Sequence, residues 1–206
     1  MPHENQSRET TFGYLSTVHT AEDGYFGGYL IVSVAGRPLE FHCTSPVRPS
    51  WAQEILYGPT LQPYLVGEQI GGVLLAAAKL TPHVILTNQP AMLAVRPRVG
   101  VPMALIVSAD ESVGGRDGEA AFQSGAASSG NGTPRLSEPS YGQFRVGRYE
   151  LQLPAGFESD EQAVVESIGL ASRHLDLVEP FGRIHDAIRE ARRIGGQTLE
   201  SHDQAA

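Results

Sequence analysis

Two neighbouring segments in the first quarter of the chain place the strongest constraint on its fold. Residues 29–34 (YLIVSV) and 39–44 (LEFHCT) are rich in β-branched and aromatic side chains, and only residues 35–38 (AGRP) separate them. Such side chains favour strands, and a short link that contains Gly and Pro is typical of a hairpin. The sequence therefore predicts two adjacent antiparallel strands near the N-terminus.

The second of these strands alternates between apolar and polar side chains. The apolar set is Leu39, Phe41 and Cys43, and the polar set is Glu40, His42 and Thr44. Because successive side chains of a strand point to opposite faces, we expect the apolar set to be buried and the polar set to face solvent. Cys43 would then be a small buried hydrophobic residue rather than a reactive thiol.

Further segments carry strand or helix signals. Ser50 and Gln53 form a capping box ahead of a short helix over 51–57, and a broad apolar stripe predicts a longer helix over 61–80. Strands are predicted at 12–19, 83–87, 101–107 and 144–153, with one helical turn at 88–95 and two helices beginning near 159 and 180.

Several glycines have a predicted structural role. Gly24, Gly27 and Gly28 lie between the first two strand segments, where a turn or a bulge would use their freedom to adopt positive φ. Gly67 and Gly71 lie one turn apart in the longer helix and would let a neighbouring segment approach closely. None of these runs has the pattern of a P-loop or of a dinucleotide-binding fingerprint.

The composition divides the chain into one ordered domain and three loose segments. We expect a single α/β domain over 12–108 and 144–194, interrupted by a disordered insert at 109–143 that consists largely of Gly, Ser, Ala, Glu and Pro. Residues 1–11 and 195–206 are polar and lack periodicity, so both are predicted to be disordered tails.

The order of the predicted elements indicates the fold class. It favours an α/β protein, with α+β as an alternative, in which helices pack on a mixed sheet that includes the N-terminal antiparallel hairpin. Three antiparallel strands, a helix, a strand, a short helix, a strand and a terminal helix resemble the ribonuclease H-like layout. Modules of the roadblock or longin kind have a comparable hairpin and offer a second layout.

Charge and cysteine content narrow the cellular setting and the partners. The chain has 15 Lys and Arg against 23 Asp and Glu, a formal charge of −8, which disfavours nucleic acid and anionic lipid without excluding a local basic groove. The lone Cys43 fits a reducing compartment, so we expect a cytoplasmic protein. Apolar runs long enough for a membrane span or a signal peptide are missing from the sequence.

Acidic residues are the candidate catalytic groups. Enzymes of the ribonuclease H-like fold hold two divalent ions with acids from the first strand, the first helix and the fourth strand. Asp23, Glu40 and Glu68 are the available candidates for a Mg²⁺ or Mn²⁺ site, but Asn88 stands at the end of 83–87, where this pattern requires a carboxylate. No cofactor is predicted otherwise, because the seven histidines have no zinc spacing.

Three stretches of the chain resemble a group of uncharacterised bacterial proteins. They are GGYLIVSVAGRPLEFHCTSPVRPSWAQEILYGPTL, ILTNQPAMLAV and LDLVEPFGRIHDAI. The resemblance implies a shared fold and transfers no catalytic residue. It implies that any shared function would lie in the hairpin–helix junction, residues 36–57, which contains the candidate binding residues His42, Arg48, Trp51 and Tyr57.

Two functional interpretations follow from the sequence. The first is a non-catalytic interaction or regulatory module of a cytosolic bacterial complex, with a protein partner or a second copy of the chain as its ligand. The alternative is a ribonuclease H-like, metal-dependent enzyme that processes nucleic acid. The second interpretation requires Asp23, Glu40 and Glu68 to converge, since two-metal chemistry places the ions ~4 Å apart.

Overall fold

Three antiparallel strands form the N-terminal part of the molecule. In the computed structural model, which describes residues 10–109, 141–171 and 176–203, β1 is Thr11–Thr20, β2 is Gly24–Ser33 and β3 is Pro38–Cys43. β2 pairs antiparallel with both neighbours, and Gly24 has a φ of 90° at the turn between β1 and β2. The predicted hairpin is therefore confirmed.

The described strands assemble into one mixed sheet. The remaining strands are β4 (Val84–Thr87), β5 (Met103–Ala109), β6 (Tyr141–Val146) and β7 (Tyr149–Pro154), and the order is β3-β2-β1-β4-β5-β7-β6. β4 pairs parallel with β1 and β5, whereas β7 pairs antiparallel with β5 and β6. This mixed sheet confirms the α/β class, and the elements from β1 to β5 follow the expected order of three antiparallel strands, a helix, a strand, a short helical segment and a strand.

Helices cover both faces of the sheet. The covering helices are α2 (a π-helical segment, Pro63–Gly71, that continues as α-helix over Gly72–Ala77), α3 (Asp160–Ala171) and α4 (Glu179–Asp203), whereas α1 (Trp51–Tyr57) has no buried residue. Short 3₁₀ segments occupy Gly58–Thr60 and Pro90–Arg98. Both sides of the capping box that begins α1 are formed between Ser50 and Gln53, as predicted.

Two apolar cores lie on opposite faces of the sheet. On one face, alternate residues of β1 and β2 such as Phe12, Tyr14 and Leu30 pack with Ile184 and Ile188 of α4. On the other face, the intervening residues pack with α2 and the Pro90–Arg98 segment, and the set includes Leu15, Tyr29, Ile31, Ile70, Leu74 and Met92. Covering both faces accounts for the nearly unbroken burial of β1 and β2.

Gly27 and Gly28 lie inside β2 rather than in a turn, so the prediction for these two residues is wrong. Neither has a positive φ. A Cβ on Gly27 would lie 2.2 Å from Cγ2 of Ile70 in α2, and a Cβ on Gly28 would lie 2.3 Å from Cγ2 of Ile184 in α4. The two glycines therefore allow one helix on each face to approach the sheet closely.

Gly67 and Gly71 have the predicted role in close packing. A Cβ on Gly67 would lie 2.5 Å from the carbonyl oxygen of Ala91, and one on Gly71 would lie 2.9 Å from Sδ of Met92. These neighbours belong to the Pro90–Arg98 segment. The glycine pair thus brings α2 against the segment that follows β4.

Several element boundaries differ from the predictions. Residues 88–95 were expected to form one turn, but the 3₁₀ segment continues to Arg98, where the buried Arg96 binds Asp160 through two hydrogen bonds of 2.6 and 2.8 Å. The strand expected over 144–153 is a hairpin, because Gly147 turns the chain with a φ of 61°. The longer helix ends at Ala77 rather than at residue 80.

The boundaries of the ordered domain also differ from the predicted ones. β6 begins at Tyr141, inside the segment 109–143 that was expected to be disordered, because residues 141–143 pair with β7. α4 continues to Asp203, past the predicted end at residue 194, since a helix anchored by packing propagates at little cost. Residues 110–140, most of the predicted insert, and residues 1–9 of the predicted N-terminal tail lie outside the described residues.

None of the described helices is both long enough and apolar enough to cross a bilayer.

Candidate functional site

The parallel pairing of β1 and β4 brings two polar residues together where β4 ends. Leu15 is opposite Thr87, so Ser16 and Asn88 come next on the two strands. The hydroxyl of Ser16 donates a hydrogen bond of 2.8 Å to Oδ1 of Asn88 and lies 3.0 Å from Nε2 of His185 in α4. We call these three residues the Ser16 cluster.

On the opposite face of the sheet, Gln89 and Thr17 also join the C-terminal end of β4 to β1. Oε1 of Gln89 accepts hydrogen bonds from the backbone N–H of Thr17 (2.9 Å) and from its hydroxyl (2.8 Å), and Nε2 of Gln89 donates to the carbonyl of Thr17 (2.9 Å). Ser16 and Thr17 face opposite sides because they are adjacent in a strand. Hydrogen bonds on both faces of the sheet therefore join the residues that follow β4 to β1.

The Ser16 cluster is electrically neutral at neutral pH. Burial of the imidazole lowers the pKa of His185, the guanidinium of Arg189 lowers it further, and Asp186 opposes both effects. With the hydroxyl proton directed at Asn88, the remaining lone pairs of Ser16 can accept an N–H from neutral His185. The result is a chain of neutral hydrogen bonds from His185 through Ser16 to Asn88.

The burial of Ser16 limits what the cluster can do chemically. The side chain has no exposed surface, whereas His185 is half-buried and Asn88 is exposed. A serine nucleophile must reach its substrate, so the 3.0 Å contact with His185 does not make Ser16 a reactive group. Neutral amide, hydroxyl and imidazole groups also lack the negative charge with which proteins hold Mg²⁺.

Asp23 lies at the turn between β1 and β2 and interacts with cations. It forms an ion pair with Arg192 of α4, and one of its carboxylate oxygens lies 3.8 Å from Arg48. Its backbone N–H donates to Oγ1 of Thr20 at 3.1 Å. Asp23 therefore joins the turn to α4 and to the segment after β3.

Glu40 lies on the opposite face of β3 from the one predicted. Its carboxylate accepts backbone hydrogen bonds of 2.8 Å from both Lys79 and Leu80, and it lies 2.6 Å from Nε2 of His42. The hydrogen bond from His42, followed by the backbone bond from Lys79, lowers the pKa of Glu40 to about 2. These bonds satisfy a carboxylate on the partly covered face of an edge strand.

The apolar side chains of β3 consequently face the other way. Leu39 is 43% exposed, Phe41 is 38% exposed and Cys43 is exposed as well. The prediction that this set is buried, with Glu40 and His42 in solvent, is wrong. Alternation identifies the two faces of a strand, but at a sheet edge the carboxylate's hydrogen bonds determine which face turns inward.

The three candidate acids do not converge. Asp23 immediately precedes β2, whereas Glu40 pairs with Ile31 near the other end of that strand, roughly 25 Å away at about 3.3 Å per residue. Glu68 pairs with Arg98, whose backbone lies about 16 Å along the 3₁₀ segment from Pro90, two residues after Asn88. Across residues 10–109, 141–171 and 176–203, no three metal-ligating side chains form a group.

The four candidate binding residues occupy separate positions. His42 contacts Glu40, and Arg48 is near Asp23. Trp51 is 77% exposed on α1, and the ring of Tyr57 stacks on Tyr64 with 4.2 Å between centroids. His42, Arg48 and Tyr57 therefore contact different residues rather than one another.

Sequence reasoning identified Asn88 but missed its partners. The register of the parallel pair would have identified Ser16, since residues 12–15 of β1 pair with residues 84–87 of β4. His185 is 169 residues from Ser16 along the chain, and no local pattern links the two. Gln89 and Thr17 are likewise joined only through the fold.

Fold and site together define an α/β protein with a mixed seven-stranded sheet and a neutral polar cluster where β1 and β4 meet. Comparison with protein-family models found no match, and comparison with curated proteins found none either. Among solved structures, the chain is similar to a variant endonuclease V from Ciona intestinalis, in complex with a 23mer DNA containing an inosine followed by a ribo-adenosine. Identity is 11%, the TM-score is 0.32, and the match covers 49% of this chain and 46% of that chain. This chain therefore matches less than half of that protein's length.

Proposed function

We propose that this chain is a non-catalytic interaction module of a bacterial, cytosolic complex. The observation that carries the proposal is the Ser16 cluster. Two-metal hydrolysis needs carboxylates beside one another to hold and neutralise the ions. Here the adjoining positions of β1 and β4 hold Ser16 and Asn88, whose polar atoms bind each other and His185.

The distribution of the other acids supports the same conclusion. Asp23, Glu40 and Glu68 each bind a different basic or backbone partner, so none is an unpaired carboxylate beside the Ser16 cluster. The formal charge of −8 also opposes the approach of a nucleic-acid backbone. The lone cysteine is consistent with the cytosol.

The hairpin–helix junction supports an interaction role. α1 buries none of its residues, and Trp51, Ile55 and Leu56 are largely exposed. A capped helix that contributes nothing to either core, while its large apolar side chains face solvent, is typical of a surface used for binding proteins. Leu39 and Phe41 of β3 add apolar surface within the same junction.

Manganese titration tests the assignment against the nuclease alternative. A resident metal site at ten times its Kd would stabilise the fold by about 1.4 kcal/mol, which raises the Tm of a chain of this size by ~3–6 °C. We expect no Mn²⁺-dependent rise for the natural chain, and no cleavage of DNA or RNA oligonucleotides with Mg²⁺ or Mn²⁺.

Two variants calibrate the titration. Asn88→Asp places one carboxylate at the exposed end of the Ser16 cluster, and Ser16→Asp/Asn88→Asp places two. We expect Mn²⁺ to raise the Tm of a folded carboxylate variant, because the added carboxylates supply negatively charged oxygen ligands where the side chains already lie close together. A Mn²⁺-dependent rise in the natural chain that Asp23→Asn or Glu68→Gln removes would refute the proposed function.

A further inference from the structure

The outer edge of β3 has unused backbone hydrogen-bonding groups. The N–H of Thr44 donates to the carbonyl of Gly27 in β2 at 3.0 Å, so in an antiparallel ladder Glu40 and His42 also direct their backbone groups toward β2. The backbone groups of Phe41 and Cys43 therefore point away from the sheet, whereas the ladder is irregular at Leu39, because Glu40 is opposite Ile31 and Pro38 is opposite Val32. β3 ends the strand order, and no strand of the described ranges pairs with this edge.

We propose that β3 pairs antiparallel with β3 of a second copy of this chain, centred on Phe41. The proposal rests on the proposed function, because it names the partner that the interaction module binds. In this arrangement Phe41 lies opposite Phe41 of the second copy, and Leu39 lies opposite Cys43 of the second copy. The two sheets join into one sheet across a twofold axis.

This register uses the outward backbone groups of Phe41 and Cys43. The two Phe41 residues exchange two hydrogen bonds across the twofold axis, and each Cys43 directs its N–H and C=O toward Leu39 of the second copy. Pro38, which has no N–H to donate, lies outside the paired stretch. Moving the centre by two residues to Leu39 or to Cys43 removes facing pairs from the ladder.

The same register is self-complementary in charge. Glu40 lies opposite His42 of the second copy, and His42 lies opposite Glu40 of the second copy. Both side chains are on one face, where they already form a 2.6 Å contact within each chain. Two such pairs across the axis give an alternating arrangement of two carboxylates and two imidazoles, which favours this pairing over one that places like groups opposite each other.

Apolar surface on the opposite face is covered by the same pairing. Leu39 and Phe41 are 43% and 38% exposed in the single chain. The twofold arrangement places the two Phe41 rings side by side and each Leu39 next to Cys43 of the second copy. An edge strand with exposed apolar side chains is a site for strand addition, and pairing with a second copy occupies it.

Disulfide cross-linking tests the register directly. In the natural chain, the two Cys43 residues of the dimer are four positions out of register, roughly 14 Å apart, which is too far for a disulfide. In Leu39→Cys, the new cysteine faces Cys43 of the second copy with the Cα atoms about 5.5 Å apart, so two disulfides can form. Leu39→Cys/Cys43→Ser retains the new cysteine but removes its partner and is the matched control.

The expected result has two parts. The natural chain sediments as a dimer, at twice its 22.1 kDa, at hundred-micromolar concentration. Mild oxidation converts Leu39→Cys into a covalent dimer on a non-reducing gel, whereas the natural chain and the control stay single chains. Phe41→Cys/Cys43→Ser provides a second readout, since its single cysteine faces its own copy across the axis.

Failure of this inference is distinguishable from failure of the proposed function. A monomer in sedimentation overturns the inference, as does a dimer in which Leu39→Cys and Phe41→Cys/Cys43→Ser cross-link no more than the control. The manganese titration does not depend on the β3 edge. It therefore decides the non-catalytic assignment whichever result the cross-linking gives.

Discussion

Gly28→Ala tests how closely α4 packs on the sheet. The added methyl carbon would lie 2.3 Å from Cγ2 of Ile184 and 3.1 Å from Cδ1 of Ile188. Both isoleucines are buried, so neither side chain can swing into solvent. Because the φ of Gly28 is not positive, alanine brings no backbone strain, and the steric conflict with α4 is the dominant cost.

The magnitude follows from two opposing effects. Overpacking a filled core costs about 1–3 kcal/mol, and replacing glycine by alanine returns about 0.4–1 kcal/mol by restricting the unfolded chain. We therefore expect a net loss of ~1–2 kcal/mol in the free energy of unfolding. For a chain of this size, that loss corresponds to a Tm lower by about 2–8 °C.

Urea denaturation monitored by circular dichroism measures the effect. Gly72→Ala is the matched control, because a Cβ on Gly72 of α2 meets nothing within 4 Å, so this variant is expected to be more stable. Ile184→Leu, which removes the Cγ2 branch that the added methyl would meet, should make Gly28→Ala less costly than it is in the natural background. Gly28→Ala that is as stable as the natural chain would refute this packing of α4.

Three other perturbations have defined outcomes. Asp160→Ala leaves the buried guanidinium of Arg96 without its carboxylate partner. We expect urea denaturation to show a free energy of unfolding lower by about 3–5 kcal/mol. Adding Arg96→Met in a double variant should recover part of this loss. The hydrogen bonds that lower the pKa of Glu40 to about 2 give stability that is present above its ordinary 4.5 and lost as the pH falls toward 2. Glu40→Gln should therefore reduce this acid sensitivity in thermal melts, and an unchanged profile would contradict the assignment. Ser16→Ala removes the hydroxyl between Asn88 and His185, and we expect about 1–2 kcal/mol of destabilisation with the fold retained. A variant as stable as the natural chain would mean that the Ser16 hydroxyl does not form these hydrogen bonds.

Local signals in the sequence predicted the local structure well. The capping box of Ser50 and Gln53 depends on residues three apart, and both of its hydrogen bonds form. Gly67 and Gly71 are one helical turn apart, so their shared face could be read directly. Such features are determined by neighbouring residues, and the rest of the fold changes them little.

The features that the sequence did not reveal depend on distant residues. Whether Glu40 or Phe41 turns inward is decided by the backbone N–H groups of Lys79 and Leu80, which lie 39 and 40 residues after Glu40. The Ser16 cluster joins three elements whose meeting point only the sheet order defines. Alternation and composition carry no information about such contacts. The sequence therefore could not show that Asp23, Glu40 and Glu68 lie far apart, or that Ser16, Asn88 and His185 meet.

The imidazole of His185, observed by nitrogen-15 NMR in the presence of Mn²⁺, tests the central claim most directly. A neutral ring within a metal-free cluster should show one protonated and one unprotonated nitrogen at neutral pH, and millimolar Mn²⁺ should leave its resonances unbroadened. The solvent-accessible His19 provides the reference for non-specific broadening. Selective loss of the His185 resonances at substoichiometric Mn²⁺ would place a metal beside Ser16 and contradict the account.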